Sequence, residues 1–279
     1  MSEARVTVGN AEIVSLSDGR MRYQIRSFFP SVLHQAWEPF GDDVTPDGMF
    51  ELNIGSYLIR SEGKTVLIDT GVGESGQGFP DGAFGGLLPD LGSKGFAPSE
   101  VDVVFMSHLH ADHVGWNFRQ GPGGALEPTF PNARYMAPKA DWDTYTRRAG
   151  MKMFAHLQEQ VMPLMDLGVL DLVEGECALT SEVTTLPTPG HTPGHMSLLV
   201  SSNGERAVIV GDAIHVPPQI TEPDWSPRPD VDPIRSKETR HALVDQAEQD
   251  GALLAAGHFP SPGFGRVVRL EGRRYWQGL

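Results

Sequence analysis

His108-Leu109-His110-Ala111-Asp112-His113 follows directly on the apolar run Val101-Asp102-Val103-Val104-Phe105-Met106. A buried strand that ends in three imidazoles and a carboxylate delivers metal-type ligands to the edge of a sheet. Imidazole is the commonest side-chain ligand of zinc and similar divalent ions, and carboxylates complete such sites. In an extended turn His108 and His110 can reach one ion from a single face. Asp112 and His113, displaced around the turn, can reach a second. Histidine is otherwise scarce, 10 in 279 residues, so three in one hexapeptide point to a site rather than to a polar loop.

Three downstream residues extend the set. His191 sits in Pro189-Gly190-His191-Thr192-Pro193-Gly194-His195, Asp212 in Val210-Gly211-Asp212-Ala213, and His258 in Ala256-Gly257-His258-Phe259. Each follows an apolar, β-prone stretch and each stands next to glycine, which lets the backbone turn sharply and approach an ion closely.

In this order the His-x-His-x-Asp-His run, the later Gly-His, the Gly-Asp and the last Gly-His resemble the metallo-β-lactamase superfamily over nearly the whole chain. The resemblance implies an α+β fold, the αββα four-layer sandwich, with residues 1–279 as a single hydrolase domain. It implies two divalent metal ions per chain, zinc foremost, with manganese, cobalt or iron also suited to mixed nitrogen and oxygen donors. His108, His110 and His191 would hold the first ion, Asp112, His113 and His258 the second, and Asp212 would bridge them. The implied chemistry is hydrolysis by a hydroxide shared between the ions, with Asp112, Asp212 and His215 as the catalytic side chains. Members that act on β-lactams typically lack aspartate at the position of Asp212, which disfavours antibiotic hydrolysis.

Composition narrows the partners. The net charge is −14, from 22 basic and 36 acidic residues, and no basic stripe interleaved with aromatics is present, which argues against nucleic acid and against membrane surfaces. No apolar run is long enough to span a bilayer, and Met1-Ser2-Glu3-Ala4-Arg5 does not open a signal peptide. The lone Cys177, which follows Glu174 and Glu176, excludes an internal disulfide and fits a reducing compartment, so a cytoplasmic location is expected.

The pattern along the chain supports α+β with mixed sheets. A hairpin is expected from Gly55–Arg60 to Lys64–Asp69 through Ser61-Glu62-Gly63, and another about Asn203-Gly204. Asp69, at the end of its strand, is a candidate to orient a ligand histidine. Helices are expected over Lys139–Arg148, Lys152–Met165 and Ser236–Asp250, the last with serine at its start and Gly251 at its end.

The substrate is less legible. His215 stands three residues after Asp212, where lactone-opening members of the superfamily usually carry tyrosine; histidine is more similar to the organophosphorus-hydrolase-like members. Phe28, Phe29 and Trp116 are the candidates to wall an apolar pocket for a small molecule. No cluster of arginines marks an anion site. The leading expectation is therefore opening of a lactone or ester of a small apolar molecule. The alternatives are hydrolysis of an organophosphorus triester, or a mononuclear-iron dioxygenase of the same superfamily. A homodimer is possible, with the segment from Phe28 to Phe50 as a packed arm.

Overall fold

The computed structural model describes residues 4–74, 82–121, 123–147 and 154–279. The chain enters as β1 (Arg5–Val8), turns at Gly9 and Asn10, and continues as the long β2 (Ala11–Gln24). β3 (Met49–Ser61) pairs with β2 and then with β4 (Lys64–Ile68). The expected turn is present: Glu62 and Gly63 take φ values of 53° and 76°, the paired left-handed geometry that suits a twisted two-residue hairpin. The short β5 (Gly82–Ala83) adds to β2, and β6 (Val103–Phe105) joins β4 in parallel. β7 (Phe118–Gln120) and β8 (Leu126–Pro128) form a separate ribbon, while β9 (Arg134–Pro138) and β10 (Leu170–Val173) complete the first sheet in order β1-β2-β3-β4-β6-β9-β10.

The second sheet runs in chain order: β11 (Val183–Pro187), β12 (Met196–Ser202), β13 (Glu205–Ile209), β14 (Leu253–Ala255), β15 (Phe264–Leu270) and β16 (Arg273–Gly278). β13 and β14 are parallel, with the helix Pro233–Asp250 in the connection between them.

Alternation along the strands sorts the side chains into three apolar layers. Ile13, Ile59, Val66, Ile68 and Phe105 of the first sheet meet Leu198, Val200, Ile209, Ala255 and Phe264 of the second. On the outer face of the first sheet, Val14, Leu58, Leu67 and Val104 pack under Leu87, Leu91, Leu157 and Leu164 from helices. On the outer face of the second, Val208, Val210 and Leu254 pack under Leu243, Val244 and Ala247 of the helix Pro233–Asp250. Each such side chain taken from water contributes roughly 1.5–3 kcal/mol. The layer order is helix, sheet, sheet, helix, the αββα arrangement expected. No helix among the described residues is long and apolar enough to cross a membrane.

Three helix boundaries differ from expectation. The helix begun at Lys139 ends at Tyr145; Arg148, like residues 149–153, lies outside the described residues. The stretch read as one helix to Met165 is two, Ala155–Gln160 and Met162–Asp166, broken at Val161 (φ −123°) because Pro163 lacks an N–H and crowds the preceding turn. The long helix starts at Pro233, not Ser236: Asp232 caps it by accepting from the Arg235 N–H at 3.0 Å, and proline takes the first helical position. Its end is as expected, with Gly251 at φ 58°.

Candidate metal centre

Parallel pairing brings the functional residues together. β4 and β6 end side by side, presenting Asp69 and the turn from Ser107 to His113. β13 and β14 end side by side at the same edge of the second sheet, presenting Asp212 and His258. The turn between β11 and β12 adds His191. Gly211 is required before Asp212: its φ is +54°, and a Cβ there would lie 2.6 Å from His195 Nε2.

Asp212 stands at the centre of the cluster. Its Oδ2 lies 3.2 Å from His191 Nε2, 3.7 Å from His108 Nε2 and 3.3 Å from His215 Nε2. Its Oδ1 lies 3.2 Å from both His113 Nε2 and His258 Nε2. His110 turns Nδ1 inward, 3.0 Å from His191 Nε2. Asp112 Oδ2 is 3.7 Å from His113 Nε2 and 3.6 Å from His258 Nε2. Three donor groups result among the described residues: His108, His110, His191 and Asp212; beside them Asp112, His113 and His258; and, sharing His191 with the first, His191, His215 and Asp230.

The outer nitrogens of these rings fix the tautomers. His113 Nδ1 donates to Asp69 Oδ2 at 2.8 Å, His191 Nδ1 to Asp230 Oδ1 at 3.0 Å, and His258 Nδ1 to the Asn53 carbonyl at 2.8 Å. The Ser107 hydroxyl donates to Asp69 Oδ2 at 2.8 Å, so it accepts from His108 Nδ1 at 3.0 Å. In its neutral form each of these four rings thus turns an Nε2 lone pair inward, the form a metal ion requires. Asp69 holds the left-handed backbone conformation (φ 61°) that aims its carboxylate at both Ser107 and His113.

These residues fit a metal pair. His108 Nε2, His113 Nε2 and Asp212 Oδ1 are buried without a hydrogen-bond partner among the described residues, an arrangement that proteins avoid unless the atoms serve a ligand. Tetrahedral zinc, at about 2.0–2.1 Å from each nitrogen, places its donors about 3.3 Å apart. The observed separations scatter about that value.

Electrostatics follow from burying carboxylates among imidazoles. Burial pushes the Asp212 carboxyl up, but His113, His258, His215 and His108 outweigh it and hold the group well below the usual range. Burial lowers His108 and His110, with neighbouring imidazoles adding to it. At His191 burial is outweighed by Asp212 and Asp230, which raise it to about 9. His113 and His258 are raised as well, burial again being outweighed by Asp212.

A cavity of about 320 Å³ opens above the donors, walled by Met21, Tyr23, Phe28, Leu52, Phe154 and His156. Two expected pocket residues are elsewhere. Phe29 is completely buried behind Phe28, packed on Trp37 and Phe50. Trp116 is buried under the first sheet, its indole N–H donating to Asp18 Oδ1 at 2.7 Å. Of the three, Phe28 lines the cavity, edge-on to His215 at 5.6 Å between ring centroids.

Sequence reasoning missed Asp230, His195 and His156. Asp230 lies in a proline-rich loop without periodicity, where nothing distinguishes a buried carboxylate from a surface one. His195 was visible four residues after His191 but had no assigned part; its Nε2 accepts from the Asp212 N–H at 2.9 Å and so positions that residue.

The description of the metallo-beta-lactamase superfamily matches residues 51–258. An N-acyl homoserine lactonase of a Bacillus species is 29% identical over 182 residues, 60% of this chain and 66% of the relative, so the match spans just under two thirds of that protein. Among solved structures, the dizinc quorum-quenching lactonase AidC, in complex with a product, is 25% identical with a TM-score of 0.82, covering 99% of this chain and 96% of that one. A hydrolase of the beta-lactamase superfamily, AbOPH, has a TM-score of 0.85 at 22% identity, covering 99% and 96%, and supports the fold.

Proposed function

The chain belongs to the metallo-beta-lactamase superfamily, and on that premise we propose that it is a dinuclear metal-dependent hydrolase that opens a lactone, or cleaves an ester of a similarly small apolar molecule. The observation that carries this reading is the central carboxylate of Asp212, with His108, His191 and His215 around one oxygen, His113 beside the other and His258 at 3.2 and 3.3 Å from the two, below a largely apolar cavity. His108, His110 and His191 would hold one ion, Asp112, His113 and His258 the other, and Asp212 both, with zinc as the proposed metal. When bound, the ions supply Lewis acidity that polarises an ester carbonyl and acidifies water, so no serine or cysteine nucleophile is needed.

The side chains orient the substrate and handle its protons. Burial, only partly opposed by Asp212, holds His215 down to about 4, so its ring is uncharged at neutral pH. In that state it offers an N–H to an oxygen on which charge develops, without acting as a charged acid. Asp112 lies on the cavity wall with Oδ2 toward His113 and His258. Its carboxylate takes the proton of the attacking water and returns it to the departing ring oxygen. The described lining of the cavity carries no lysine or arginine, which favours a neutral substrate.

That neutrality, together with histidine at position 215, also supports a second substrate class, neutral aryl phosphotriesters. The complete second donor set, Asp112, His113 and His258, counts against a single-iron dioxygenase. The test is metal analysis of the purified protein with assays on γ- and δ-lactones, an aryl ester, an aryl phosphotriester and a β-lactam. About two metals per chain with a lactone or ester fastest is the expected result. A phosphotriester hydrolysed fastest would transfer the protein to the second class, and one metal with no hydrolysis would overturn both.

A further inference from the structure

The three histidines of the first donor group come from two segments, the turn after β6 and the turn between β11 and β12, and one buried carboxylate touches both. We propose that this carboxylate, Asp141, acts with His156 as a positioning residue for that group. Together they fix the His108–His110 turn against the His191 loop, and so set the affinity for one of the two proposed ions and not for the other. The inference rests on the two-metal reading and concerns how one of its donor groups is held.

The need arises at His110. The rings of His108, His113, His191 and His258 are each oriented by a hydrogen bond at the nitrogen turned away from the cluster. Among the described residues His110 has no such bond: its Nδ1 faces His191, and its Nε2 makes none. Its placement therefore falls to the backbone that carries it. That backbone is gripped from both sides at Leu109, the residue between the two histidines. The Leu109 carbonyl lies 3.0 Å from His156 Nε2, and since a carbonyl only accepts, that nitrogen carries the hydrogen and donates. The Leu109 N–H donates to the Asp141 carboxylate. Both polar groups of a residue outside the sheet are thus satisfied by side chains from two helices, Lys139–Tyr145 and Ala155–Gln160.

Asp141 is completely buried, and its two oxygens also engage the other segment. Oδ2 accepts from the Thr192 hydroxyl at 2.7 Å and Oδ1 from the Gly194 N–H at 2.6 Å. The approach is close enough to require glycine: a Cβ at Gly194 would lie 2.7 Å from Asp141 N and 2.9 Å from its Oδ1. Asp230 orients the ring of His191, whereas Asp141 holds the chain that follows it. The second donor group does not depend on this grip. His113 is held by Asp69 Oδ2 and by its own carbonyl, which accepts from the Thr70 N–H at 2.8 Å. His258 is held by the Asn53 carbonyl.

The metal-free protein is titrated with Co(II), whose visible absorption reports the ligands around each ion. His191→Gln and His258→Gln, each short of a donor from one group, mark which binding step belongs to which ion. Asp141→Asn, isosteric but uncharged, should weaken the step marked by His191 by about 10–100-fold and leave the step marked by His258 within about threefold. His156→Leu and Thr192→Val, which each cut one tie and leave the carboxylate in place, should weaken the same step by about tenfold or less. His156→Gln, whose amide N–H can still donate to Leu109, should recover part of that loss. Melting of each metal-free variant separates this effect from general loosening, which would weaken both steps alike. Equal weakening of the two steps, or a first step unchanged in Asp141→Asn and His156→Leu, overturns the proposal and leaves the two-metal site standing. If Asp141→Asn does not fold, His156→Leu and Thr192→Val decide it by the same criterion. A wild type that takes up fewer than two Co(II) ions overturns the two-metal reading as well.

Discussion

Arg240 and Asp230 form an ion pair whose side chains are both wholly buried, Arg240 Nη2 lying 3.2 Å from Asp230 Oδ2. The other oxygen of Asp230 accepts from His191 Nδ1. Arg240 also donates to the carbonyls of Ala213, Pro223 and Trp225 and to the Ser236 hydroxyl, so the long helix holds the loop that carries Asp230. One chain of contacts runs from a helix in the outer layer to a ring in the metal centre.

Asp230→Ala leaves a buried guanidinium without its counter-charge and should cost about 3–5 kcal/mol in chemical denaturation. Asp230→Asn keeps an acceptor for His191 but removes the charge. It should retain the fold better and weaken metal binding by about 10–100-fold, measured by chelator competition. Undiminished affinity in Asp230→Asn would show that His191 is oriented without it.

His215→Leu should leave the metal content unchanged and lower kcat on the preferred ester by about 10²–10³, the usual effect of deleting one group that stabilises developing charge. A fall in metal content instead would make His215 a ligand. A kcat within a few-fold of wild type would leave the ring a packing role against Phe28 and His258.

Chelation should abolish hydrolysis and lower the melting temperature, since ions that bind only the folded state at 100 times their Kd add about 2.7 kcal/mol. Restoring zinc should recover both. Asp212→Ala should reduce turnover to the uncatalysed rate and melt close to the chelated wild type. A chelated protein that remains active would remove the metal from the mechanism.

Glu248 accepts from both Arg269 and Arg274, joining the C-terminal hairpin to the long helix. These hydrogen bonds hold its carboxyl down to about 2, from an ordinary 4.5. A folded-state value below the unfolded one means that the stabilisation is complete above pH 4.5 and fades as the pH falls towards 2. Glu248→Gln should therefore lower the melting temperature at pH 7 and narrow the gap from wild type on acidification. A gap that is constant across this range would show the clasp to be indifferent to charge.

What the sequence disclosed depended on how local the signal was. The donors at 108–113 are legible because they share one turn, and the hairpins at Glu62-Gly63 and Asn203-Gly204 because the turn chemistry is written in two adjacent residues. The four layers follow from alternation in the strands. Phe29 and Trp116 misled because an aromatic near a site in sequence is not thereby near it in space: burial against Trp37 and Phe50 claimed one, and a hydrogen bond to Asp18 the other. Asp230 and His156 were invisible because their partners, Arg240, His191 and the Leu109 carbonyl, come from distant parts of the chain. The helix break at Val161 could have been read from Pro163.

The candidate donors are divided between the sheets: the turn after β6 brings His108, His110, Asp112 and His113, while the turn between β11 and β12 brings His191 and the ends of β13 and β14 bring Asp212 and His258. Neither sheet holds a complete donor set for either ion's neighbourhood without the other. If these donors hold the proposed ions, the early half offers during synthesis only an open, weakly retaining site, and tight capture would wait until His258 has been made and its strand docked. On the proposed two-metal reading, a loaded centre would be a record that both halves were translated and assembled, with the metal as a rivet set last.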